Sequence, residues 1–265
     1  MGAVATEFTY VTNKVKRPGF YNYDAGPDAP DVAPETKRYP VEVTDIRDLI
    51  GELDLDKEGL KVVYLHTRAT DLYDPEQVKS IYYKEVQKLV KQATGANSVL
   101  VFDYNIRNQS LAEQPGIQKP VTFVHNDYTN ASGPQRVRDL IGGDKAEALI
   151  GKRFAVINVW KPITGPVMTS PLGVCDASSM RQDDFIETDL LYRDRNGEIY
   201  SVAWRPEHRW LYVSEMKSDE VMLLKCYDSD LGGRARFTAH SAFDLPDVDG
   251  VPPRESIEVR TLAFF

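Results

Sequence analysis

Apolar residues in this chain recur at two spacings, and the changes in spacing mark the elements. Residues 60–66 (LKVVYLH), 98–104 (SVLVFDY) and 153–160 (RFAVINVW) are short runs rich in β-branched and aromatic side chains, which predicts strands. Between the first two the period lengthens. Val78, Ile81, Tyr82, Val86, Leu89 and Val90 follow helical spacing. Asp74-Pro75 supplies an N-cap and a first-turn proline, and Gly95 supplies the stop. Residues 132–150 predict one broken helix or two short ones, interrupted at Gly142-Gly143, and 45–53 (DIRDLIGEL) a short helix. Further strands are expected at 185–192, 198–204, 210–213, 221–227, 234–240 and 256–265. Residues 1–44, with GPDAPDVAPE in their middle, predict an arm carrying one or two short strands and wrapped on the body.

Helices flanking many strands, with strands dominating the second half, point to an α+β, mainly β domain built on a sandwich or jelly roll. No repeat, low-complexity tract or dividing linker interrupts the chain. One domain over 1–265 is expected, with its core from about residue 98 onward.

Composition narrows the partners. The 32 Lys and Arg against 40 Asp and Glu leave a net charge of −8, which argues against nucleic acid. No apolar run reaches the length of a membrane span, and the N-terminus lacks the basic and apolar regions of a secretory leader. Two cysteines, Cys175 and Cys226, both in apolar contexts, suit buried reduced thiols in a reducing cytoplasm. Fourteen Tyr and ten Phe are enough to line a small-molecule pocket. A homo-oligomer is possible but not indicated.

The chemistry gathers at three separated residues. Residues 122–128 (TFVHNDY) predict a strand, and its period of two puts His125 and Asp127 on one face. Four His and 40 acids in 265 residues give roughly 0.6 His-x-acid pairs by chance, so the pair alone is weak. His240 ends a later strand in RFTAH. Fourteen residues beyond it stands Arg254, followed by Ser256. Two His and one carboxylate hold Fe(II) on one face and leave the opposite positions open. A guanidinium fork suits the far carboxylate of 2-oxoglutarate. Arg254, Ser256, Glu258 and Arg260 share one face of the closing strand, which is either solvated or lines a polar cavity. His66, expected as a satisfied structural residue, and His208, expected on a surface loop or pocket wall, rank below His240 as third ligand. Only His240 is followed by the Arg-x-Ser and the closing strand. Tyr104, Arg107, Tyr128, Asn158, Trp160 and Lys161 are candidates for substrate contact, with structural packing or a surface charge as the plain alternative.

Beyond this set, the chain resembles mainly fungal and bacterial non-haem Fe(II)/2-oxoglutarate-dependent oxygenases of secondary metabolism. Their members include hydroxylase/desaturase proteins, gibberellin-desaturase-like proteins and relatives of the cephamycin 7-alpha-hydroxylase component. The resemblance rests on VTDIRD, YYKEVQKLVKQATGANSVLVFDYNIR, VHNDYT, INVWKPITGPV with SPLGVCDASS, RWLYVSEMKSDEVMLLKCYDSD, ARFTAHSAFDLP and PPRESIEVRTLAFF. Only the first 40 or so residues fall outside it. It implies a double-stranded β-helix (jelly roll), Fe(II) on His125, Asp127 and His240, and 2-oxoglutarate and O2 as co-substrates. It also implies a basic residue of the last strand on 2-oxoglutarate. Arg254 with Ser256 fits that pattern and Arg260 is its rival. One departure is NVWKP where the family pattern has NVWRP, so Lys161 keeps a charge without the fork. Hydroxylation, desaturation and oxidative ring closure all occur in such a family. The competing readings are a keto-acid-independent cupin-like dioxygenase and a non-catalytic jelly-roll binding protein. A cysteine hydrolase has no evident base partner.

Overall fold

The computed structural model describes residues 2–12, 17–26, 29–246, 248 and 250–265. Parts of two sequence expectations lie outside them: Pro27 and Asp28 of the arm, and Asp247 and Asp249 of the turn-rich stretch before the last strand.

The chain opens with β1 (Ala3–Val11), β2 (Gly19–Tyr21) and β3 (Thr36–Asp45), then a short 3-10 turn at Arg47–Leu49 and β4 (Leu60–Tyr64). Helix α1 (Pro75–Gln77) runs through a π turn at Val78–Tyr82 into α2 (Tyr83–Thr94). The Asp74 side chain accepts from the Glu76 N–H, and Gly95 closes the helix in the left-handed region at φ 72°. Next come β5 (Ser98–Asn108), β6 (Ile117–Gln118), β7 (His125–Asn126), α3 (Ser132–Ile141) and α4 (Gly143–Ile150). The two short helices part at Gly142 and Gly143, both at positive φ. The second half is β8 (Phe154–Pro162), β9 (Leu172–Cys175), β10 (Phe185–Leu191), β11 (Asn196–Val202), β12 (Trp210–Tyr212), β13 (Glu220–Asp228), β14 (His240–Ala242) and β15 (Glu255–Phe264).

Among the described residues these strands form two mixed sheets. One runs β1-β3-β12-β9-β14-β7-β11-β10-β2 and the other β4-β13-β8-β15-β5-β6. Period-two alternation on β8 shows how they are assembled. Phe154, Val156 and Trp160 enter the apolar cluster that also holds Leu172, Val174 and Tyr200 of the facing sheet. Ala155, Ile157 and Val159 face the cluster built by Val78, Tyr82, Val86 and Val90 of the helix. With both faces covered, all nine residues of β8 are buried. The mainly β, helix-flanked fold expected from the pattern is the observed one.

Three details differ from expectation. The arm is a sheet edge: β1 and β3 pair over nine residues, and Phe8, Tyr10 and Val43 bury a cluster of their own. Residues 234–239 form no ladder, because their backbone donors are taken elsewhere. Ala235 N–H goes to the Asp56 carbonyl at 2.8 Å and Thr238 N–H to the Asn126 side chain at 3.1 Å. Strand β9, with its glycine and cysteine, carried no clear strand signal. It is a strand because β12 and β14 flank it.

Candidate active site

His125 and His240 stand directly opposite each other across the antiparallel pair β7–β14, with ring centroids 4.6 Å apart. Asp127 follows two residues after His125 and turns to the same side. Its Oδ1 lies 3.5 Å from His125 Nε2 and 4.0 Å from His240 Nε2. One ligand atom from each of the three lies within 4.8 Å of the others, a spacing that an ion between them can bridge. The imidazoles are fixed in a matching way. Nδ1 of His125 meets the Phe123 carbonyl at 2.9 Å, and Nδ1 of His240 meets the Thr238 carbonyl at 3.0 Å. Each Nδ1 donates there, so each Nε2 keeps its lone pair for the centre. Burial, and then His125 beside it, pushes His240 down to about 4, so its ring is neutral at pH 7.

Asp127 is held from behind. Its Oδ2 accepts from Asn158 Nδ2 at 2.7 Å and Arg260 Nε at 3.2 Å. Burial alone would raise its carboxyl, but the Arg260 guanidinium and the two imidazoles hold it well below the usual carboxylate range. Arg260 also meets Asp103 at 3.0 Å and Glu258 at 3.5 Å, so it is matched by three carboxylates. Burial, and then Asp127, raises Glu258.

Arg254 differs. It is 4% exposed and lies 5.5 Å over the Trp160 ring, and among the described residues its side chain donates only to the Ser170 carbonyl. Among the described residues its Nε has no hydrogen-bond partner, and neither has the buried Ser256 hydroxyl two residues along the same strand face. Burial and the like charge of Arg107 pull the guanidinium down to about 9. Arg254, Arg107, Trp160 and Leu172 line one small cavity with His125, Asp127 and His240. Two orphaned buried donors thus lie on the strand face next to the three convergent ligands.

The other candidates divide by strand parity. Arg107, Asn158 and Trp160 face the cavity between the sheets. Tyr104 and Lys161 do not, because each sits an odd number of residues from those neighbours and so on the opposite face. Tyr104 packs edge-on to Tyr83 at 6.0 Å, and Lys161 lies over the Tyr82 ring at 5.8 Å under the helix. Tyr128 is buried and borders a second, larger cavity. The expectations for the two spare histidines are reversed. His66 is exposed on the surface, its side chain 83% accessible, whereas His208 is buried and satisfied by Asp184 at 3.1 Å and Tyr10 at 3.3 Å. Both cysteines are buried and free, and burial pushes the Cys175 thiol up to about 12. Asp103, which braces Arg260, carried no sequence signal, since an aspartate near the middle of a strand is indistinguishable from a solvated one.

Comparison with known proteins bears on the same site. Residues 8–264 match the family model described as "Oxidoreductase/YMDC permease-like domain". No helix among the described residues is long and apolar enough to cross a membrane. The hydroxylase/desaturase efuI of Hormonema carpetanum is 36% identical over 85% of this chain and 83% of its own length. The Fe(II)/2-oxoglutarate-dependent dioxygenase nvfI of Aspergillus novofumigatus is 36% identical over 72% of this chain and 69% of its own. A solved structure of the iron and alpha-ketoglutarate-dependent endoperoxidase NvfI superposes with a TM-score of 0.91 at 28% identity. It covers 99% of this chain and 98% of that one.

Proposed function

The chain belongs to the family of Fe(II)/2-oxoglutarate-dependent dioxygenases, and on that premise we propose that His125, Asp127 and His240 hold its iron and Arg254 with Ser256 its keto acid. The substrate is a small molecule of secondary metabolism, oxidised at an unactivated C–H bond by hydroxylation, desaturation or ring closure. The observation that carries the assignment is a convergent His-Asp-His set sharing one cavity with the orphaned Arg254 guanidinium. We assign the catalytic domain to the whole of residues 1–265 and the enzyme to the cytoplasm, where two free thiols are stable.

Iron, 2-oxoglutarate and O2 together supply the oxidant that removes a hydrogen atom from the substrate. The chain supplies placement. The Phe123 and Thr238 carbonyls fix both imidazole tautomers. Asn158 and Arg260 occupy Oδ2 of Asp127, which leaves Oδ1 as the donor toward the centre. Arg254 is the keto-acid anchor in preference to Arg260, because three carboxylates lie within 4.0 Å of Arg260 and, among the described residues, none lies that close to Arg254, which feels only the more distant Glu258. Trp160 and Leu172 wall the cavity with apolar surface and exclude water. A keto-acid-independent mechanism would leave Arg254 and Ser256 buried to no purpose.

The test is an anaerobic titration of metal-free protein with Fe(II) and then 2-oxoglutarate. The expected result is the weak visible charge-transfer band of an iron–keto-acid chelate at one equivalent, lost in His125→Ala and His240→Ala. Iron binding without a band removes the keto-acid part of the proposal, and no iron binding removes all of it.

A further inference from the structure

The small cavity at Arg254 is not the largest in the molecule. A second one, of about 480 Å³, opens on the far side of the Asp127–Arg260 pair, between α3 and the β10–β11 hairpin. That volume is within the range of small-molecule sites. Its charges are unevenly matched. Each carboxylate on its wall already has a donor. Asp103 and Asp127 are held by Arg260, Asp139 by Gln135 at 2.8 Å, Asp189 by Arg17 at 3.0 Å, and Glu198 by Arg17 at 2.8 Å and by Thr129. Two of its guanidiniums have no carboxylate within 4.0 Å among the described residues. Arg195, on the hairpin, rests on the Tyr192 ring at 3.9 Å. Arg136, on α3, lies 5.8 Å from the Phe102 ring centre, and its buried Nε makes no hydrogen bond.

We propose that this cavity receives the substrate to be oxidised and that Arg136 anchors an anionic group on it, a carboxylate carried by a hydrocarbon body. This rests on the reading that Asp127 faces the iron, since Asp127 is the wall the cavity shares with that site. A partly buried guanidinium without a counter-ion is costly, and a planar two-oxygen anion matches its fork. Tyr128, Leu190 and Ile199 give the body an apolar wall. The anion is not the keto acid's, because Arg136 does not border the cavity that holds Arg254. Arg136 is thus a specificity-determining residue: it selects acids over their neutral analogues and fixes which end of the substrate points away from the metal.

The probes are arylalkanoic acids from phenylacetate to 4-phenylbutyrate, each beside its primary amide, titrated calorimetrically into the anaerobic Fe(II)·2-oxoglutarate-loaded protein. At least one acid is expected to bind about tenfold more tightly than its amide, or better. Arg136→Gln removes that preference, Arg136→Lys keeps part of it, and Arg136→Glu transfers it to the matching arylalkylamine. Melting curves confirm that each variant is folded. Equal affinity for acid and amide, no binding by any acid, or a preference that survives Arg136→Gln overturns the proposal. So does a rise in the 2-oxoglutarate dissociation constant in Arg136→Gln as large as that in Arg254→Gln, which would make Arg136 a keto-acid residue. The iron site is scored separately. If the charge-transfer band fails to form in the unaltered chain, the reading of the metal site fails. The acid-over-amide preference is then still measured on the metal-free protein.

Discussion

Two buried polar clusters sit on the six-stranded sheet, and they are built on opposite plans. At one end, Asp228 is fully buried and takes Arg153 at 2.7 Å and Lys225 at 3.1 Å. Asp56 meets Lys225, Arg153 and Arg234, and Arg234 also meets Asp230 at 2.9 Å. None of these side chains has an orphaned buried atom. On the inner face of β15 and β8 the pattern is incomplete. Arg254 Nε, Ser256 Oγ and Asn158 Oδ1 are all buried without hydrogen-bond partners among the described residues. The first cluster is finished when the chain folds. The second is finished only when something else enters. Charge and burial do not separate a structural cluster from a functional one here, but the unmatched donors and acceptors do.

Four experiments would break or sharpen that contrast. The largest effect is expected at the ligands. Asp127→Ala should drop keto-acid turnover to roughly a hundredth or less of the unaltered enzyme, with loss of bound iron, because the centre then has two donors. Iron stoichiometry and succinate release measure it. Asp228→Asn should cost about 1–3 kcal/mol of stability, since it leaves Lys225 and Arg153 to share the single, partly exposed carboxylate of Asp56. Urea unfolding measures that, and one Fe(II) per chain should still bind. A variant that kept its stability would show that the first cluster is less closed than its geometry.

Arg254→Gln should separate the two plans most cleanly. Loss of a charged fork weakens 2-oxoglutarate by about 10–100-fold. The same change removes a buried cation that lacks a counter-ion, so without keto acid the variant should melt at or above the unaltered protein. A variant that both binds normally and melts lower would assign Arg254 to structure. The smallest effect is expected at Lys161, where burial, partly offset by Asp219 and Glu85, lowers the ammonium to about 8. The unfolded chain then binds more protons than the folded one between pH 8 and the ordinary lysine value of 10.5. Stability therefore rises with pH through that window, and the full penalty stands below it. Lys161→Met should stabilise the protein at pH 7 by about 1–3 kcal/mol, with the gain fading toward pH 10.5. Unfolding curves at neutral and alkaline pH check this.

The site was legible to the extent that it follows strand parity and local composition. Arg254, Ser256, Glu258 and Arg260 are spaced by two along β15 and share its face, whereas β7 ends at Asn126 and Asp127 reaches the His125 side from the bend that follows, not from the strand expected over 122–128. The same rule shows why Tyr104 could not join Arg107, nor Lys161 join Asn158. Which face of β5 and β8 looks at the other sheet depended on where the helix packs. His66 and His208 changed places for a related reason. Burial of a loop histidine depends on what crosses over it, here Tyr10 of the N-terminal strand and Asp184 from a distant turn.

Sequence alone determined the element types, the punctuation at Asp74-Pro75, Gly95 and Gly142-Gly143, and the residue types able to hold a metal. These depend on propensity, capping and side-chain chemistry, which act over a few residues. Tertiary structure decided the rest. It made a strand of β9 by giving it two neighbours, denied one to residues 234–239 by taking their donors, and turned an arm into a sheet edge. It also set His240 opposite His125 across 115 residues of chain, braced Asp127 with Arg260, and left the buried Nε atoms of Arg254 and Arg136 without a hydrogen-bond partner among the described residues. Those outcomes are pairings between distant segments, and only the packed chain determines which groups find a partner and which are left to meet a ligand.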